Sequence, residues 1–169
     1  SGIYVMDPSK PNEKFISLFE GLTRDTNGLA SNTNNEPVHG SSSSCYVTGS
    51  GENTILYTFD EDYKVDGKAG NILQYNIGTT THWTEAPSIA FNNAATGGYQ
   101  ANMNSTILPD GRGGWWISQY RAADEAAVPS LIHYNGTQVD FVSGKTDPTI
   151  IENSRNGGMA ISLDGTRIA

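Results

Sequence analysis

The apolar residues of this chain come in short runs. Ile3 to Met6, Phe15 to Phe19, Ile55 to Phe59, Ile72 to Tyr75, Trp115 to Tyr120, Leu131 to Tyr134 and Val139 to Val142 are each aromatic or β-branched, and Gly, Pro, Asn and Asp separate them. Such runs are strands, because branched and aromatic side chains suit a pleated surface and the intervening residues suit turns. A helix needs an apolar stripe at i, i+3 and i+4 kept up over about 11 residues. The best stretch, Arg121 to Val128, is shorter and is closed by Pro129. The expectation is an all-β domain, and 169 residues suit one domain.

The turns repeat. Pro109-Asp110-Gly111-Arg112 and Leu163-Asp164-Gly165-Thr166 each place Asp-Gly between two apolar runs, and Ser50-Gly51-Glu52-Asn53 does the same between Tyr46-Val47 and Ile55-Leu56. Glycine accepts the positive φ that a tight hairpin demands. The central glycines, Gly51, Gly111 and Gly165, are 60 and 54 residues apart. A second register runs through Tyr4, Tyr75 and Tyr134, each followed by Asp7, Asn76 or Asn135 and then by another strand. Together they define a unit of two hairpins, four antiparallel strands, which is the pattern of a β-propeller blade.

Met159 to Ala169 resembles the innermost hairpin of bacterial YVTN, NHL and lactonase-type propeller repeats; Asn104 to Trp116 and Ser44 to Phe59 are looser copies. The resemblance implies a β-propeller and names no activity, since blades of this kind carry enzymes, receptors and scaffolds. The blade pieces are 1–21, 44–91, 104–143 and 158–169, about three four-stranded blades. Propellers close with about 4 to 8, so the expectation is part of a six- to eight-bladed ring. The ring would be completed by the rest of a parent chain or by self-association, with the outer sheet faces, rich in residues such as Trp115, Trp116, Ile117, Phe59 and Phe91, needing cover.

Ten Lys and Arg against 18 Asp and Glu give a net charge of −8. That argues against nucleic acid or an anionic membrane surface as a partner, because both require a concentrated positive field. No apolar run approaches the roughly 20 residues that span a bilayer. The single cysteine, Cys45, has no disulfide or metal-ligand partner and reads as a small buried residue. A surface rich in Asn, Thr, Ser and Gly and poor in Lys points to an extracytoplasmic setting, periplasmic or cell-surface.

In propellers the loops joining the second to the third strand, and one blade to the next, share one face. Here these are Leu22 to Ser43, Asp60 to Asn71, Asn92 to Asn102, Arg121 to Pro129 and Gly144 to Gly157, the longest in the chain. Long loops on a rigid scaffold are where binding residues concentrate. Asp60-Glu61-Asp62 gathers carboxylates of the type that holds Ca2+, with Asp60 and Asp62 as ligands, although the spacing departs from an EF-hand and a solvated acidic turn is the competing reading. Glu36 and His39 form a carboxylate and imidazole pair suited to proton transfer, or else two polar surface residues. Arg121 and Arg155 suit bidentate capture of a carboxylate or phosphate, against a structural role in ion pairs with Asp124, Glu125 or Glu152. Tyr99, with Trp83 and Tyr63, offers a ring for stacking on a glycan. His133 lies inside a strand and is expected to pack or hydrogen-bond.

No Ser-His-Asp order with a G-x-S-x-G elbow is present. The sequence therefore favours a binding or scaffold propeller that recognises a protein or glycan through its loop-rich face. A propeller hydrolase or lyase, lactonase-like or NHL-like, with a metal-assisted site at the channel mouth, is the alternative.

Overall fold

The computed structural model describes residues 3–12, 16–17, 30–31, 37–39, 42–60, 65, 70–79, 87–93, 105–118, 131–142 and 159–169. It is all-β, and its main bodies are two four-stranded antiparallel sheets. The first contains β5 (Ser42–Thr48), β6 (Ile55–Asp60), β7 (Asn71–Asn76) and β8 (Ser88–Phe91); the second contains β9 (Thr106–Pro109), β10 (Trp115–Ser118), β11 (Leu131–Tyr134) and β12 (Val139–Val142). In both sheets each strand pairs with its sequence neighbours, so each is a meander. Small antiparallel pairings accompany them, among the described residues β1 (Tyr4–Val5) with β2 (Ile16–Ser17), β3 (Ala30–Ser31) with β4 (Pro37–His39), and Ile161 with Ile168. Among the described residues the helical content is the 3-10 turn Gly51–Asn53 and Asn93, also in 3-10 conformation, and no helix is long and apolar enough to cross a membrane.

The turns take the form their residues dictate. Gly51, Gly111 and Gly165 all have positive φ, at 55°, 76° and 69°. Beside them, short polar side chains close the chain on itself by accepting the amide two residues on. Asp7 accepts from Ser9, Asn76 from Gly78, Asp110 from Arg112, Asn135 from Thr137 and Asp164 from Thr166. This local bond is why Asn and Asp recur at turns. Asp7, Asn76 and Asn135, which follow Tyr4, Tyr75 and Tyr134, each cap a turn in this way.

The two sheets pack face to face. Phe59, Ile72 and Phe91 of the first meet Ile107, Trp115, Ile117 and Ile132 of the second in one buried cluster, with Tyr57, Ala90, Tyr134 and Val139 at its margin. Each fully buried side chain of this size contributes about 1.5–3 kcal/mol relative to exposure. The inner edge of the second sheet is tied to the first by a polar bond, from the Ile107 amide to the Ser44 hydroxyl at 3.2 Å. The first sheet is also buried on its other face, where Leu56, Leu73 and Tyr75 are 4, 0 and 0% exposed.

Three expectations are corrected. Cys45 is exposed, because it lies on the first strand of its sheet and points away from the second sheet. Phe59, Phe91, Trp115 and Ile117 do not lie on uncovered end faces, because the two sheets cover one another there; Trp116, on the opposite side of β10, is half-buried and stacks on His133 and Phe141. The segment 22–43 is not wholly loop, since it contributes the β3 and β4 pair and the start of β5.

Two outcomes test this packing. Ile117→Ala, at the centre of the cluster, is expected to cost about 2–5 kcal/mol in urea denaturation, and Val47→Ala, at a 51% exposed site, to stay within about 0.5 kcal/mol. Asp164 is held at about 2 by hydrogen bonds from the Ser162 and Thr166 side chains and the Thr166 amide. A depressed carboxyl stabilises the fold above its unfolded value, near 3.8, and that stabilisation is lost as pH falls through about 2. An NMR titration of the Asp164 carboxyl is expected to give a midpoint near 2, with the 162–167 turn amides shifting in step.

Candidate functional site

The two meanders share a polarity. The Ser44 to Ile107 bond and a common cleft that holds Thr48 with Pro109 and Gly111 align β5 with β9 in the same direction. The short turns of the two meanders therefore lie at one end, and the strand ends that lead into 61–70, 92–105 and 119–130 lie at the other.

That second end carries buried polar chemistry. Asp60 closes β6 opposite Asn71, which opens β7, and both are fully buried. The Asn71 carboxamide oxygen accepts the Asn93 amide at 2.8 Å. Ser105, just before β9, is also fully buried. Desolvated polar groups persist where they are bonded, and Asp60, Asn71, Asn93 and Ser105 all engage partners. Thr58, two residues before Asp60 and on the same face of β6, is the exception: its hydroxyl is buried and finds no hydrogen-bond partner. The sequence reading singled out Asp60 but missed Asn71, Asn93, Ser105 and Thr58. Polar residues at strand ends look like surface, and only the packing of the strand ends puts them inside.

A second polar constellation sits on the outward face of the second sheet. His133 Nδ1 is 2.5 Å from Asp140 Oδ1, and His133 Nε2 is 3.1 Å from Asp110 Oδ2. The Trp116 ring lies over the imidazole at 4.3 Å. For Asp110, burial pushes the carboxyl up, but the amides of Arg112 and Gly114 together with His133 outweigh it and hold it below the usual range. The arrangement ties β11 to β12 and to the β9–β10 turn. Both ring nitrogens are engaged and stacked under Trp116, so the group is built as a structural tie. This is the packing and hydrogen-bonding role expected of His133.

Of the other residues singled out from sequence, His39 ends β4 opposite Ala30, with its side chain outside the described residues. Glu36, Asp62, Tyr99, Arg121 and Arg155 lie outside the described residues altogether, as do Tyr63 and Trp83. Among the described residues no three His, Cys, Asp or Glu side chains converge as a cation cage, so Asp60 as a Ca2+ ligand would draw its companions from outside them.

Comparison with protein-family models, with curated proteins and with solved structures finds no match to this chain.

The unpaired Thr58 hydroxyl yields a direct test. Replacing it with a methyl of the same shape removes a desolvated group that has no compensating bond. Thr58→Val is expected to raise stability by about 1 kcal/mol in urea denaturation. A loss of similar size would reveal a partner bound at that hydroxyl.

Proposed function

We propose that the chain forms about three blades of a six- to eight-bladed β-propeller, exported or displayed at the cell surface, that recognises a protein or glycan through the end where its long connections leave the sheets. The observation that carries this reading is the arrangement of the two meanders: packed face to face, first strands side by side and parallel, short turns together at one end. Successive blades around an axis have this relationship. The face opposite the second sheet is buried on the first sheet too, as expected of a blade with a neighbour on each side. Glu36, His39, Tyr99, Arg121 and Arg155 fall in connections assigned to the binding end.

Asp60 supports a second reading, a propeller hydrolase or lyase, because a fully buried carboxylate at that end is the kind of group that ligates a divalent ion.

Native mass spectrometry of the purified chain separates these readings. A propeller segment completes its ring through a parent chain or further copies, so the expected result for the chain alone is self-association, as a closed ring or as aggregate. A monodisperse monomer with cooperative unfolding would overturn the propeller in favour of a self-contained β-sandwich. A stoichiometric divalent ion that is retained by the native chain and lost in Asp60→Asn would move the assignment to the enzyme.

A further inference from the structure

At the short-turn end, remote from the connections just discussed, the two sheets part to leave a cleft of about 390 Å³. That is within the range of small-molecule sites. Tyr46, Tyr57 and Gln74 form one wall. They are mutual register partners on β5, β6 and β7, so they make a straight row across two strand spacings, about 10 Å. Trp115 of the second sheet forms the floor: it is 5% exposed, and its ring packs on Tyr57 at 4.8 Å and edge-on to Tyr46 at 6.5 Å. Thr48 adds a hydroxyl next to Tyr46, and at the rim Gly113 leaves open space where a side chain would stand.

The chemistry of the lining selects its ligand. Among the described residues no Asp, Glu, Lys, Arg or His lines the cleft, so none of them compensates a charged ligand there. The Tyr46, Tyr57 and Thr48 hydroxyls and the Gln74 amide form no hydrogen bond with the described residues, and are ready to donate and accept. Aromatic faces beside uncommitted hydroxyls and an amide match a molecule with an apolar CH face and a ring of hydroxyl groups. We propose that this cleft binds a neutral pyranose sugar, stacked against the exposed Tyr46 ring and the half-buried Tyr57 ring over the Trp115 floor, and hydrogen-bonded by Gln74 and Thr48. The site is formed within one chain and does not rest on the propeller reading or on the loop-end residues.

Trp115 supplies the readout. Glucose, galactose, mannose, fucose and N-acetylglucosamine are titrated singly into the purified protein to about 10 mM, where even a millimolar site is mostly filled, with tryptophan emission recorded; a neutral glycan array runs in parallel. At least one free sugar, or a glycan ending in it, is expected to bind saturably. Binding of free sugars identifies the monosaccharide as the ligand, and binding of array glycans alone identifies a glycan terminus. Gln74→Leu is expected to weaken binding about tenfold, the loss of one good hydrogen bond, and Tyr46→Phe, a milder change at the exposed rim, several-fold. Leu163→Ser, at a fully exposed site, is expected to bind as wild type. Circular dichroism confirms that each variant is folded, and Tyr46→Phe decides the matter if Gln74→Leu is not. No saturable response in either format, a preference for charged sugars, or undiminished binding by folded variants would overturn the proposal. Undiminished binding would move the sugar to the loop end and leave that reading standing.

Discussion

A four-stranded sheet with apolar side chains on both faces has no stable arrangement by itself in water. The first sheet is of this kind: Phe59 and Ile72 point to one side, Leu56, Leu73 and Tyr75 to the other, and all are buried. At roughly 25 cal/mol per Å² of apolar surface, exposing either face would outweigh the few kcal/mol by which domains are stable. The second sheet exists in its observed place because it covers one of those faces. Everything else about the relation of the two sheets follows from how that cover is fitted.

The fit is set at the inner edge. The Ile107 amide points outward from its sheet, since β9 has only β10 as a neighbour, and an unpaired strand edge seeks an acceptor. Ser44 supplies it. The bond fixes how far β9 slides along β5, and this decides that Trp115 stands against Tyr57 and that the two sets of turns come level. The two ends of the assembly then differ in kind. One end has tight turns and an aromatic cleft with uncommitted hydroxyls; the other has buried carboxylate and carboxamide groups at the strand ends. Only three residues of β6 separate Tyr57 of the cleft from Asp60, about 10 Å along the strand, but the two side chains lie on opposite faces of the sheet.

What was legible in the sequence was what neighbours in the chain decide. Asp110-Gly111 and Asp164-Gly165 announce their turns because both the positive φ and the capping carboxylate act within four residues. The strands announce themselves by composition. What was hidden depends on contacts between distant segments. Cys45 and Ser44 are adjacent small residues in one strand, yet Cys45 is exposed while Ser44 binds the second sheet, and nothing local reveals which way the strand faces. The Tyr46, Tyr57 and Gln74 row needs the register of three strands. Gly78 is another such case: a side chain there would meet the Gly51 carbonyl at 2.2 Å, a constraint that comes from the neighbouring turn and not from its own. The loop-end candidates other than Asp60 and His39 lie outside the described residues, so their reading from sequence stands as a proposal.

The two Asp-Gly turns separate local from tertiary causes within one molecule. Asp164 spends a single oxygen on its own turn, accepting from the Ser162 and Thr166 hydroxyls and the Thr166 amide. Asp110 likewise uses Oδ1 for the Arg112 and Gly114 amides, but its Oδ2 reaches His133, 23 residues away. The shared motif therefore encodes the turn, and the difference in use reflects what lies beside it. Where a third strand lies alongside, the spare oxygen becomes a cross-strand tie, locked further by Trp116 over the imidazole. Gly114 belongs to the same device, because a side chain there would meet the Tyr134 carbonyl at 2.2 Å and Asp110 Oδ2 at 2.5 Å. The same dipeptide can thus keep its turn while its surroundings dictate what the turn is bonded to, which is how similar hairpins come to occupy different environments in one fold.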